Sequence, residues 1–286
     1  MYCDLHTHSK FSDGTDWPEE LIARAQGLGL SALALTDHNS VAGLPRFLAA
    51  AEGSGVEAVP GVEFSTDYRG KSLHILALFV RPEHYETISN LTAHYDRLKR
   101  ESNLDLTRKL KEAGYPIDYE ALEASTPDGR VNRALFAEEL TRLGYVESVD
   151  EAFDKLLKER CGFYTPPERL DALETVAFIR SIGAVSVLAH PWLNLKTREA
   201  LEEFLDEAVP AGLDGMEVRY SKFTPEQSNQ ALEIAEQYRI LPSGGSDYHG
   251  ITVKPDITMG TGRGGLEVPE SWYQSLKTLA KRRKVG

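Results

Sequence analysis

Asp4-Leu5-His6-Thr7-His8-Ser9, followed by Ser12-Asp13-Gly14, contains side chains of the types that bind metal ions. Met1 to Leu5 is a short, mostly apolar run that suits a buried strand, and strand side chains two apart project from one face. His6 and His8 at the end of such a strand aim two imidazoles at one point. A turn at Gly14 can return the Asp13 carboxylate to the same place, and imidazole mixed with carboxylate suits Zn, Mn or Fe rather than Ca. An H-x-H pair alone is equally well two polar strand-end histidines, so the reading depends on further ligands at equivalent places. The sequence supplies them. Asp37 and His38 follow the apolar run Ala32–Leu35, and Glu63 follows Val56–Val62. His74 opens Leu73–Val80, His190 follows Ala184–Leu188, and Asp247 with His249 follows Ile240–Ser243. Taken singly, Asp37 is a turn or cap residue as readily as a ligand, Glu63 an ion-pair member, and His190 a core histidine. Six of the eight histidines lie in this set, and the C-terminal ends of strands are where barrels of alternating β and α units assemble their sites. Together the clusters predict a multinuclear metal site. His84 and His94 fall on helical surfaces and receive no role.

The elements that must position these residues alternate. Asp16-Trp17-Pro18-Glu19 predicts a helix start, with Asp16 as cap, Pro18 in the first turn and Glu19 at capping-box spacing, and the helix stops at Gly29. A helix through Phe47-Leu48 to Glu52 completes a βαβ unit, and Arg69-Gly70 marks a hairpin turn. From about Glu83 to Cys161 the pattern is helical and charged: a long helix to Ala113, a short one at Tyr119–Ala124, one over Asn132–Leu143 and one over Val149–Glu159. Alternation then resumes with helix Leu170–Ser181, a strand over 184–188, helix Arg198–Ala208, strand Gly215–Val218, helix Pro225–Tyr238, a strand over 240–243 and a basic helix from Trp272 to Lys284. The expected division is an α/β barrel domain of residues 1–82 and 162–286 with a helical insertion, or cap, of 83–161.

Composition limits the function classes. At 286 residues with 41% apolar content the chain can build a sizeable core. The net charge of -12 argues against a general polyanion-binding surface of the kind that holds duplex DNA or long RNA, which gives the expectation of no duplex DNA partner while leaving open a small anion held by metal ions. Cys3 and Cys161 have no partner at metal spacing and read as reduced packing residues, Cys3 in the core. No apolar run approaches a membrane span, and the first strand begins without a basic-then-apolar leader, which gives the expectation of a cytoplasmic protein without membrane contact.

Asp4-Leu5-His6-Thr7-His8-Ser9, Thr36-Asp37-His38-Asn39, Gly61-Val62-Glu63-Phe64-Ser65, Leu188-Ala189-His190-Pro191 and Gly245-Ser246-Asp247-Tyr248-His249-Gly250 resemble the successive motifs of the PHP (polymerase and histidinol phosphatase) domain. The resemblance implies a distorted (β/α)7 barrel holding two to three divalent ions (Mn, Fe or Zn). It implies that His6, His8, Glu63 and Asp247 hold the first, that Glu63, His74 and His190 hold the second, and that Asp13, His38 and His249 hold the third. Asp13 departs from relatives that carry histidine there. A barrel with a helical insert and Gly162-Phe163-Tyr164-Thr165-Pro166 at re-entry is similar to the phosphoesterases that include 3′,5′-nucleoside bisphosphate phosphatases and the 5′→3′ exoribonuclease RNase AM. Their Arg-Pro-His motif reads Arg133-Ala134-Leu135 here, so the arginine alone is kept, either as a phosphate contact or as a solvated helix charge.

The implied chemistry is hydrolysis of a phosphate ester on a small nucleotide, a 3′,5′-nucleoside bisphosphate or the 5′-phosphorylated end of a short RNA. Glu63 bridging two ions leaves room for a hydroxide nucleophile that attacks phosphorus in line. Arg133 and Lys254 are the basic groups expected to neutralise phosphate oxygens. Asp247 and His249 are each candidates to give a proton to the leaving oxygen and also candidate ligands. Histidinol-phosphate phosphatase is the competing enzyme reading, since it shares barrel and reaction but usually lacks this insert placement. A non-catalytic structural PHP module predicts lost ligands and an attached polymerase region.

Overall fold

The computed structural model describes residues 1–127 and 129–283. The short apolar runs form strands β1 (Tyr2–Asp4), β2 (Ala32–Leu35), β3 (Glu57–Tyr68), β4 (Lys71–Leu78), β5 (Leu170–Asp171), β6 (Val185–Leu188), β7 (Gly215–Tyr220), β8 (Leu241–Gly245) and β9 (Val268–Pro269). β1, β2 and β3 run parallel, and β3 turns through Arg69-Gly70 into antiparallel β4. β4 is antiparallel to β6, and β6, β7 and β8 are again parallel. β8 returns to β1, where the Leu5 N–H donates to the Gly244 carbonyl at 3.2 Å and Thr7 bridges Tyr248. β1, β2, β3, β4, β6, β7 and β8 thus make a nearly closed seven-stranded α/β barrel, and the reversed strand β4 is its distortion. Short β5 pairs with β3, and β9 with β1.

Among the described residues the helices are α1 (Pro18–Gly27), α2 (Leu44–Ala51), α3 (Tyr85–Glu112), α4 (Tyr119–Ala124), α5 (Arg133–Arg142), α6 (Val149–Ala152), α7 (Ala172–Ser181), α8 (Pro191–Asn194), α9 (Arg198–Ala211), α10 (Pro225–Tyr238) and α11 (Glu270–Arg283). The basic C-terminal helix was expected to reach Lys284, which lies outside the described residues. No described helix is long and apolar enough to cross a membrane.

Strand alternation sorts the core. Leu33 and Leu35 of β2 face the outer layer with Leu21, Leu44 and Phe47, while Ala32 and Ala34 face the barrel interior with Cys3, Leu5, Val59, Leu76 and Val187. Tyr273, Leu276 and Ala280 of α11 plug that interior. The excursion between β4 and β5 has a core of its own, with Leu106, Leu110, Ile117, Phe136, Leu140 and Leu157. Helix α3 serves both: Ile88 and Tyr95 pack on the outer barrel layer, Leu106 and Leu110 in the cap.

Local details depart from the sequence expectations for physical reasons. Proline lacks an N–H and takes the first helical position of α1, so Trp17 becomes the cap and Glu20 accepts the Trp17 N–H at 2.7 Å in place of an Asp16/Glu19 pair. Asp16 instead accepts from the Tyr248 hydroxyl at 3.0 Å. β3 runs on past Glu63 to Tyr68 because β4 supplies a complete antiparallel ladder. Leu170 and Asp171 are strand residues, and the Asp171 carboxylate caps α7 through the Glu174 N–H at 2.9 Å. The helix expected over 149–159 breaks after α6 into a π-turn over Phe153–Leu157 and a 3₁₀ turn over Glu159–Cys161. The wider π-turn buries Leu156 and Leu157 side by side in the cap core.

Candidate metal centre

Glu63 is the hub of the barrel mouth. The β3 backbone carries its buried carboxylate into contact with five imidazoles. Oε2 lies 3.0 Å from His6 Nε2, 3.1 Å from His8 Nε2 and 3.3 Å from His38 Nδ1. Oε1 lies 2.8 Å from His74 Nδ1 and 3.1 Å from His190 Nε2. Asp247 Oδ1 closes one end, 3.2 Å from His8 Nε2. Asp13 closes the other, with Oδ1 3.2 Å from His249 Nε2 and Oδ2 3.6 Å from His38 Nε2. Three sets of donor atoms each lie within 4.8 Å of one another: His6, His8, Glu63 and Asp247; His38, Glu63 and His74; and His8, Asp13, His38 and His249. Eight of the nine residues singled out in the sequence as metal ligands fall in these sets, and the ninth, His190, adjoins them through Glu63 Oε1.

The donor chemistry fits cations. His6 Nδ1 lies 3.0 Å from Glu217 Oε1, so a neutral ring donates there and turns its Nε2 lone pair toward Glu63 and toward His8 Nε2, 3.1 Å away, while without a metal Glu63, Glu217 and Asp247 outweigh burial and raise the pKa of the ring. Lone pairs and carboxylate oxygens that face each other in a buried site repel unless a positive charge lies between them, and a ligand histidine whose other nitrogen binds a carboxylate is the usual arrangement around a metal. His38 Nδ1 and His190 Nδ1 are buried with no hydrogen-bond partner among the described residues. Burial opposes ionisation of Asp13, but His249 and His38 outweigh it and hold the carboxyl well below its ordinary range. Burial is likewise outweighed at Glu63 by His6 and His38, and at Asp247 by Lys254 and His249. Burial, with His8 and His74 adding to it against Glu63 and Asp13, pushes His38 down to about 3, whereas His8, against Asp247 and Glu63, rises to about 9 despite burial.

The surrounding residues fix the donors. Asp37 accepts the Ser9 N–H and Ser12 hydroxyl, each at 2.7 Å, and so pins the loop that carries Asp13. A Cβ on Gly14 would lie 2.3 Å from the His8 carbonyl, so only glycine permits this return. His190 and Asp247 have left-handed backbones with φ 30° and 56°, strained conformations that the surroundings must hold. The Glu217 carboxylate accepts the His190 N–H at 2.6 Å, and the Asp247 N–H reaches the His6 carbonyl at 2.8 Å. Tyr220 and Lys254 both donate to Asp247 Oδ2, at 2.8 and 2.6 Å.

Lys254, expected at a phosphate, thus stands behind a carboxylate of the cluster. Arg133 reaches the cleft wall, its guanidinium 4.1 Å from the Tyr164 ring centre and 3.2 Å from the Leu157 carbonyl. Glu217 and Tyr220 escaped the sequence reading, although a lone glutamate in the apolar run Gly215-Met216-Glu217-Val218 was a usable signal. Two clefts open from Asp13 and His38 beneath the cap. One, of about 330 Å³, runs past Arg97, Tyr119 and Arg130; the other, of about 230 Å³, runs past His74, Tyr95, Arg133 and Tyr164.

The profile of the PHP domain matches residues 4–164. The chain is 31% identical over 246 residues to a 5′-3′ exoribonuclease of Haemophilus influenzae, covering 86% of this chain and 89% of that protein. It is 33% identical over 258 residues to phosphoribosyl 1,2-cyclic phosphate 1,2-diphosphodiesterase of Eggerthella lenta, covering 87% and 95%. A Bifidobacterium adolescentis protein described as a metal-dependent phosphoesterase superposes with a TM-score of 0.86 at 28% identity, covering 97% of this chain and 96% of that one.

Proposed function

The chain belongs to the PHP domain family and is a phosphoester hydrolase, and from that premise we propose that it acts on a small nucleotide bearing two phosphates. The substrate is a 3′,5′-nucleoside bisphosphate or the 5′-phosphorylated end of a short RNA. The observation that carries this reading is the pair of clefts, about 330 and 230 Å³, that meet at the Asp13/His38 edge of the cluster. One phosphate fits at the cluster, leaving cleft volume lined by tyrosines and arginines for a nucleoside and a second anion.

His6, His8, Glu63 and Asp247 would hold one divalent ion, Glu63, His74 and His190 a second, and Asp13, His38 and His249 a third. Such ions supply Lewis acidity toward phosphoryl oxygen and toward water. The protein's own groups orient and ionise. His249 Nδ1 lies 2.9 Å from the Asp247 carbonyl, which places its proton there and leaves the Nε2 lone pair facing Asp13. Burial lowers the pKa of that ring, and Asp247 is held ionised. Neither group has a cleft-facing proton to give at neutral pH, which supports both as ligands. Arg133, stacked on Tyr164 and lining the smaller cleft, has guanidinium N–H groups beyond the one engaged by Leu157, which supports a contact to a phosphate oxygen there.

The test is a panel with Mn²⁺ that compares 3′,5′-bisphosphates, mononucleotides, 5′-phosphorylated oligoribonucleotides and histidinol phosphate by kcat/KM. Bisphosphates or oligoribonucleotides lead if the reading holds. A clear preference for histidinol phosphate overturns it.

A further inference from the structure

Six residues line both clefts: Asp13, His38, Asn39, Lys99, Asn103 and Asn132. Asp13 and His38 belong to the cluster. The three amides already hold the fold together: Asn39 Oδ1 accepts the Ser65 N–H at 3.0 Å, Asn103 donates to the Val131 carbonyl at 2.8 Å, and Asn132 donates to the Ser12 carbonyl at 3.1 Å. Of the neighbouring arginines, Arg100 pairs with Glu123 at 2.8 Å, Arg130 pairs with Asp96 at 2.7 Å, and Arg133 is stacked on Tyr164 with one N–H on the Leu157 carbonyl, while Arg97, Arg133 and Arg169 each line one cleft and not the other. Lys99, on the inner face of α3, differs. It is half-buried, and its ammonium makes no hydrogen bond or ion pair among the described residues. Burial pulls its pKa down against the opposing influence of Asp13 and Asp96. An ammonium withdrawn from water without an acceptor is costly, and an anion arriving beside it recovers that loss.

We propose that Lys99, at the junction of the two clefts, binds the substrate phosphate that is not being cleaved and so sets the preference for doubly phosphorylated ligands. This inference rests on the two-phosphate reading of the function and adds the residue responsible. From the junction Lys99 serves whichever cleft the nucleoside occupies, so that a cluster-bound phosphate and a second anion are recognised together.

The test pairs substrates that differ only in the second phosphate: adenosine 3′,5′-bisphosphate against the adenosine monophosphates, and a 5′-phosphorylated against a 5′-hydroxyl short oligoribonucleotide. Lys99→Met lowers kcat/KM for the doubly phosphorylated partner by roughly 10- to 100-fold, the effect of losing one charged contact. It leaves the singly phosphorylated partner nearly unchanged, and Lys99→Arg restores most of the loss. A readout independent of turnover is the rise in Tm that adenosine 5′-monophosphate gives to metal-free protein, present in the wild type and absent in Lys99→Met. Equal losses on both partners, or a wild-type preference that Lys99→Met retains, overturn the role of Lys99 alone. A wild type with no preference for the second phosphate overturns the two-phosphate reading together with it.

Discussion

Glu217 touches no substrate-facing surface, yet Glu217→Gln is expected to weaken metal binding. Its two oxygens accept different donors, Oε1 from His6 Nδ1 at 3.0 Å and Oε2 from the His190 N–H at 2.6 Å. Glutamine keeps the shape but offers one acceptor oxygen, so its NH₂ must face either the His6 ring N–H or the His190 backbone N–H. In the first case His6 loses the partner that fixes its tautomer, and in the second the left-handed turn at His190 loses its anchor. Partners of this kind are worth about 10- to 100-fold in metal affinity, or ~1.4–2.7 kcal/mol. A smaller effect runs the other way, because Glu217 also helps His6 keep a proton that metal must displace. Chelator competition followed across a range of pH, with the protons released on loading counted, separates this proton competition at His6 from the orienting effect. Affinity within twofold of wild type would refute the assignment of Glu217 as an orienting residue.

Three further outcomes follow from the geometry. Glu63→Gln abolishes turnover while the far-ultraviolet circular dichroism stays native, since a neutral amide holds two cations poorly; a wild-type rate would move the chemistry elsewhere. Arg133→Ala lowers kcat/KM by one to two orders of magnitude, consistent with about 1.5–3 kcal/mol for a charge-assisted contact, and an unchanged value would leave Arg133 as a partner of Tyr164 only. In metal-free protein the His8 pKa is raised to about 9, so the stability its imidazolium contributes is complete below its unfolded pKa of about 6.5 and is lost as pH rises through 9. Metal requires the neutral ring, so affinity climbs with pH up to about 9 and then levels for this group, and calorimetry at pH 7.5 should detect proton release on loading. No proton release would contradict that state of His8.

Most of the candidate donors were legible because they stand just past short apolar runs, where period-two projection and barrel topology together dictate direction, although Glu63 and His74 lie inside β3 and β4 and Asp13 in a loop. His6, His38, Glu63, His190 and Asp247 needed no tertiary information beyond strand order. Glu217 and Tyr220 were less visible, since a buried strand side chain earns a role only from what faces it, and their partners His6, His190 and Asp247 come from distant strands. Lys99 was hidden for the opposite reason: on a charged amphipathic helix it looks like any solvated lysine until the cap folds over the barrel. The breaks in regularity, the π-turn over Phe153–Leu157 and the later start of α1 at Pro18, turn on single packing choices that periodicity does not resolve.

The most direct test is elemental analysis of protein purified without chelator, joined to removal and return of the metal during turnover. Nine converging donors should retain about two to three ions of Mn, Fe or Zn per chain, with hydrolysis lost on chelation and regained on adding Mn²⁺. Full activity in protein shown to contain no metal would contradict the central claim.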